Sequence, residues 1–275
     1  MRAGVFVLIL WLAAWLAPAV AAGPALKLAV GGRTASYSAA DLLARPDLTE
    51  VKVLKDPGYG KPMTYRAVPL AALVAPLGMK ADDTLEVVAL DGFVAQLPGT
   101  MVLNQDPLAA VAMVTVEDPA QRWPNLPGKH ESAGPFSVVW SGATAAAVPA
   151  DQWPYQVAAM NEVEPPEKRW PQLALDSSVP PNDPLRLGLQ KFVATCGACH
   201  QLDGGGAANV GPDLNRPMSP TEYFAAGILR KYIRDPASVR DWPARQMPGF
   251  TRDALSDDDL DQIILYLSYK ARHRR

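Results

Sequence analysis

Cys196-Gly197-Ala198-Cys199-His200 sets two thiols at C-x-x-C spacing and puts an imidazole directly after the second. Thiols at this spacing can add to the two vinyl groups of one porphyrin. The histidine that follows is then delivered to the iron, which needs a strong proximal ligand. Two other chemistries use the same residue types, a redox dithiol and half of a zinc site. Cys196 and Cys199 are the only cysteines in the chain, so no second pair completes a zinc site. The expectation is one covalently bound haem c, attached through Cys196 and Cys199 and ligated by His200.

The opposite face of such an iron needs a second ligand. Met247, in Arg245-Gln246-Met247-Pro248-Gly249-Phe250, and Met218, between Pro217 and Ser219, both offer a thioether. The alternative role for either is apolar gap filling. Trp242 and Arg245 lie just before Met247 and are candidate haem-propionate contacts, the indole through its N–H and the guanidinium through its charge. Surface packing is the competing reading of both. His130 sits in Pro127-Gly128-Lys129-His130-Glu131-Ser132 with no second His or Cys nearby, and reads as a solvated loop residue. Arg230, Lys231 and Arg234 read as the wet face of a helix. Asp91-Gly92 reads as a hairpin turn rather than as a catalytic carboxylate.

The elements that must position these residues are legible around the motif. Pro184 to Ala198 reads as a short helix with Leu185, Leu187, Leu189 and Phe192 as apolar surface. Gly204-Gly205-Gly206 and Gly211-Pro212-Asp213-Leu214 follow as loops. Ser219 is a natural N-cap, with Pro220 at the first helical position and Glu222 completing a capping box. That helix is expected to run through Ile228, Leu229 and Ile233 to about Arg234, where Asp235-Pro236 stops it. Ser256 opens a final helix whose acidic first turn suits the helix dipole. Leu260, Ile263, Ile264 and Leu267 line one face of it at helical spacing.

The CGACH motif, the GPDL loop, the RQMPGF loop and the closing helix together resemble a class I c-type cytochrome over about residues 183–273. The resemblance implies a haem between the first and last helices. It implies the Pro212 carbonyl against His200, and Met247 rather than Met218 as distal ligand.

The rest of the chain frames this unit. Arg2 and the apolar run Gly4 to Leu16, ending in Pro18-Ala19-Val20-Ala21-Ala22, read as a signal peptide over residues 1–22, with a retained membrane anchor as the alternative. Removing it moves the net charge from −2 to −3. The basic Arg272-His273-Arg274-Arg275 end reads as a solvated tail. With no basic tract beyond it, charge gives no support to nucleic-acid binding. Residues 23–163 alternate apolar and polar positions between turn signals and read as a β-rich α+β domain. Its segments are Leu26–Val30, Val51–Leu54, Met63–Val68, Leu85–Leu90, Ala112–Val116, Phe136–Trp140 and Gln152–Met160. Short helices are expected at Ser38–Leu43 and after Pro69, and a surface loop at 117–134. Residues 164–183, with prolines at 165, 166, 171, 180 and 181, read as a stiff linker that cannot build a core. They would hold the domains apart or strap one across the other. Residues 184–275 form the all-α haem domain, so the chain is multidomain.

Tyr65-Arg66-Ala67-Val68-Pro69-Leu70, Asp91-Gly92-Phe93 and Gly134-Pro135-Phe136 give the first domain a resemblance to the sulfite-oxidase-type molybdopterin-binding fold. That family ligates molybdenum through a cysteine, and none lies outside the haem motif here. The expected function is a periplasmic single-electron carrier with redox-protein partners, associated with membranes only through those partners. Its first domain would be a docking module. The alternatives are a haem-linked oxidoreductase whose first domain oxidises a small substrate, and a haem-based redox switch.

Overall fold

The computed structural model describes residues 24–208, 210–242 and 245–274. The expected signal peptide lies outside the described residues. No helix among the described residues is long and apolar enough to cross a membrane.

The N-terminal region is a sheet-rich α+β domain with nine strands among the described residues: β1 Ala25–Val30, β2 Arg33–Ser38, β3 Thr49–Val53, β4 Met63–Pro69, β5 Thr84–Ala89, β6 Val94–Pro98, β7 Val111–Val116, β8 Phe136–Ser141 and β9 Val157–Val163. They form two sheets, ordered β2-β1-β9-β5-β6 and β3-β4-β7-β8. All pairs are antiparallel except β1 with β9. Alternation explains β1: Leu26, Leu28 and Val30 point inward and are at most 2% exposed, as the two-residue period of a strand requires. Its turn into β2 uses Gly31 and Gly32 at φ 59° and 69°, a backbone that side-chain-bearing residues avoid. The first core joins Leu26, Leu85, Val87 and Met160 of one sheet to Val68, Val114, Val138 and Trp140 of the other. Helices α1 Ala39–Leu43, α2 Leu70–Val74 and α3 Gly99–Val102 supply Leu42, Leu70, Leu73 and Val102 to it.

Two expectations change here. Gln152 does not begin a strand: residues Ala150–Gln152 form a 3-10 turn and pairing starts at Val157. The 117–134 segment is not merely a surface loop. Leu126 and Ala133 are each 4% exposed and pack on Val51, Val53 and Tyr65. The segment thus closes the second face of the four-stranded sheet.

The C-terminal region is helical, with α5 Pro184–Lys191, α6 Pro220–Tyr223, α7 Ile228–Arg234 and α8 Asp257–Arg272. The single helix expected from Ser219 to Arg234 is two. The Ser219–Glu222 capping box is present, but α6 stops at Tyr223 as Phe224 turns extended, and Gly227 at φ 77° opens α7 as its N-cap.

Of the two arrangements expected of it, the 164–183 stretch takes the strap, and it departs from expectation in adding a helix and a core residue. It carries a short helix, α4 Pro166–Arg169, and lies along α8 as a strap. Leu173 is 3% exposed within the helical core. Tyr266 Oη donates to the Leu173 carbonyl at 2.6 Å, and Lys270 Nζ donates to that of Ala174 at 3.1 Å. Proline stiffness leaves few backbone conformations to lose on docking, so an extended strap can contribute an apolar side chain cheaply.

Candidate haem site

Helix α5 begins cleanly. The Asp183 carboxylate accepts from Leu185 N at 2.9 Å, and Pro184 takes the first helical position. The helix passes into a π-helical turn over Phe192–Cys196, closed by Gly197 N donating to Phe192 O at 2.8 Å. π turns often lie at functional sites, and this one delivers the motif. Cys199 N and His200 N both donate to Cys196 O, at 3.1 and 2.8 Å, which folds the two thiols and the imidazole into one tight turn.

His200 Nδ1 lies 2.7 Å from Pro212 O. A carbonyl can only accept, so Nδ1 carries the proton and Nε2 keeps the lone pair that a metal needs. Desolvation lowers the His200 pKa, and the Pro212 bond works against that shift. The ring is therefore held neutral and aimed. Gly211 is required beside it, because a Cβ there would stand 2.4 Å from the ring.

The loop carrying Pro212 is itself anchored by Asp213. Its carboxylate accepts from Gly204 N at 2.6 Å, Asp203 N at 3.1 Å and Asn215 N at 2.8 Å. Asn215, 1% exposed, bonds the Asp203 carboxylate and the Lys270 carbonyl of α8. These three residues position the imidazole from behind, and sequence reading missed them. The Asp in Gly-Pro-Asp-Leu was the one available signal, since Asp accepts from nearby backbone N–H groups.

Leu214, Phe224, Met247, Phe250, Ile264 and Cys196 pack, partly buried, against the helical core that holds Leu229, Ile233, Leu260 and Leu267. Met247 thus belongs to the apolar cluster, whereas Met218 is 49% exposed. Trp242 is 40% exposed with Arg240 over its ring, 5.5 Å from the centroid. Arg245 bonds Asp241 and the Met247 carbonyl. His130 is exposed, as expected. Arg234 is not a wet-face residue: it binds three carbonyls of the loop before α8.

The first domain reaches this site. Its turn Ala150–Gln152 and strand β6 pack on the Phe192–Cys196 turn, and Val94 N donates to Ala198 O across a long 3.4 Å. Burial pushes the Asp151 carboxyl up to about 7. Burial first, then the Asp151 charge, pushes the Cys196 thiol up to about 12 and the Cys199 thiol up to about 11.

The residues fit a porphyrin held from one edge: adjacent thiols, a neutral aimed imidazole, and an apolar lining with a thioether.

Residues 186–270 match the Cytochrome c family model.

The cofactor is one covalent haem c, for which Cys196 and Cys199 supply the attachment pair. When bound, it supplies a one-electron couple, and a cytochrome c domain supports electron transfer. The chain is also similar in structure to the sulfane dehydrogenase SoxCD from Paracoccus pantotrophus, at 16% identity and a TM-score of 0.38. The similarity covers 52% of this chain and 39% of that one, so this chain spans well under half of that structure's length. A search of curated proteins gives no match.

Proposed function

We propose that this chain is a periplasmic electron carrier. It passes single electrons through one haem ligated by His200 and Met247, and residues 23–163 form a module that docks a redox-protein partner. The observation that carries this reading is the 2.7 Å contact between His200 Nδ1 and Pro212 O. It leaves Nε2 with the lone pair that iron needs, on a residue held in the same backbone turn as the two cysteines. Met247 is favoured over Met218 because a distal ligand must be sheltered from water, and Met247 is the sheltered one. A thioether favours ferrous iron more than a second imidazole does, so a fairly high potential follows.

The resemblance of Tyr65–Leu70, Asp91–Phe93 and Gly134–Phe136 to the molybdopterin-binding fold is a sequence reading that would fit a scaffold kept for docking, since a fold does not fix a function. No third cysteine is available to ligate molybdenum. Within this reading the first 22 residues direct export, and haem attachment follows outside the cytoplasm.

Elemental analysis of the mature protein from a host that matures c-type cytochromes tests the reading. One iron per chain, haem resistant to acid-acetone extraction and no molybdenum are expected. Stoichiometric molybdenum would replace the carrier with an oxidoreductase, and a colourless protein with two free thiols would remove the haem altogether.

A further inference from the structure

Among its described residues, the segment between α7 and α8 has little regular structure of its own, a 3-10 turn at Pro236–Ser238. Yet it must hold Met247 in one place. Two guanidinium groups do this through its backbone. Arg234, the last residue of α7, donates Nη1 to Phe250 O at 3.0 Å, Thr251 O at 3.2 Å and Leu255 O at 2.5 Å. Its Nη2 meets Asp257 at 2.8 Å, the first residue of α8. Its side chain is 16% exposed. The main chain follows the same route: Phe250 N donates to Ile233 O at 3.1 Å. Gly249 passes so close to α7 that a Cβ there would stand 2.6 Å from the Arg234 carbonyl. From the other side, Arg245 bonds Asp241 through Nε at 3.1 Å and the Met247 carbonyl through Nη1 at 2.9 Å. The carbonyl of the methionine itself, and those three, four and eight residues after it, are thus held by charged forks.

We infer that Arg234 and Arg245 are positioning residues for the Met247 thioether, fastening the loop backbone so that the sulfur stays on the iron. The inference rests on Met247 being the distal ligand. A thioether is an uncharged lone-pair donor to iron, so the persistence of its bond depends on how little the loop gains by letting go. An unfastened loop would sample conformations with the sulfur displaced, and an external ligand would compete for the iron. Neutral hydrogen bonds would resist this less, because bonds from a charged donor are roughly twice as strong.

The experiment uses the full-length ferric protein with haem attached, as wild type, Arg245→Gln, Arg245→Lys, Arg234→Lys and Met247→Ala. It records the sulfur-to-iron charge-transfer band and titrates with imidazole. Met247→Ala should lose the band. Arg245→Gln and Arg234→Lys should weaken it and bind imidazole about tenfold more tightly than wild type, the expected scale for one lost charge-assisted bond. Arg245→Lys keeps a charged donor for its one carbonyl and should lie between, whereas a single ammonium at position 234 cannot replace a fork that spans three carbonyls and Asp257. If the arginine variants keep the wild-type band and imidazole affinity while Met247→Ala loses the band, the fastening role is overturned and the ligand assignment stands. A lower melting temperature alone, with band and affinity unchanged, makes both arginines structural only and overturns it too. A band that survives in Met247→Ala overturns the ligand assignment, and this inference with it.

Discussion

At the scale of single residues, the site works by committing polar atoms in advance. His200 gives one ring nitrogen to Pro212 and keeps the other. Asp213 gives its oxygens to three backbone N–H groups and thereby fixes the loop that makes the first commitment possible. Asp151 is the contrasting case, a carboxyl from the first domain buried against the attachment turn with its pKa raised from 3.8 to about 7. A raised carboxylate pKa means that the folded chain holds its proton longer than the unfolded one. Stability therefore falls as pH climbs from about 4 to about 7, and the loss is complete above that. Asp151→Asn should melt at a higher temperature than wild type at pH 8, with the difference vanishing near pH 4. A difference independent of pH would remove burial of the charge as its cause. Of these residues only the motif and Pro212 were legible in the sequence. Asp151 acts on the thiols by its charge from across a domain boundary, and no local pattern encodes an effect of that range.

At the scale of elements, capping was readable and breaking was not. Ser38 with Asp41, and Ser219 with Glu222, form the reciprocal boxes that their spacing announces. Helix α6 ends at Tyr223, where Phe224 turns extended, and Gly227, at a positive φ open to Gly, starts α7; a lone Gly inside a helical pattern signals such a restart only weakly. Gly188 has a different task. Helices α5 and α8 cross so closely there that a Cβ would lie 2.2 Å from the Gln262 carbonyl and 2.9 Å from Tyr266 Cβ. Relief would require moving one helix backbone off the other. Gly188→Ala should cost about 3 kcal/mol or more, near the upper end for overpacking, measured by urea denaturation of the haem-loaded protein. A cost below about 1 kcal/mol would mean that the crossing is looser than it looks. The strap was half legible: its prolines announced stiffness, but its docking depends on Leu173 finding the α5–α8 core. A single apolar residue in a proline-rich run has no period to betray it.

At the scale of the molecule, the two domains are joined by more than the chain. Arg169 of the strap meets Glu86 of β5 at 2.5 Å, Glu86 is 7% exposed, and Gln96 also donates to it at 2.9 Å. Arg169 stacks on Trp170 at 4.3 Å, which ties the pair to the strap. Removing the cation would leave a nearly buried carboxylate with one neutral donor. Arg169→Ala should destabilise the junction by about 2 kcal/mol and speed proteolysis within 164–183. Arg169→Ala combined with Glu86→Gln should recover much of that loss, and failure to recover would show that the stacking on Trp170 matters more than the charge. The two-domain plan was visible from composition, but the closeness of the domains was not, because it is written in pairs such as Arg169 and Glu86 that lie far apart along the chain.

Strand β9 leads directly into the strap, and it lies in the middle of its sheet, between β1 and β5. Shortening the first domain from its C-terminal side therefore removes a central strand rather than an edge. Two exposed ladders would be left, one on the β1–β2 hairpin and one on the β5–β6 hairpin, each able to recruit a foreign strand. A recombinant first domain that stops before Val157 should aggregate, whereas one that runs through Val163 keeps its sheet whole.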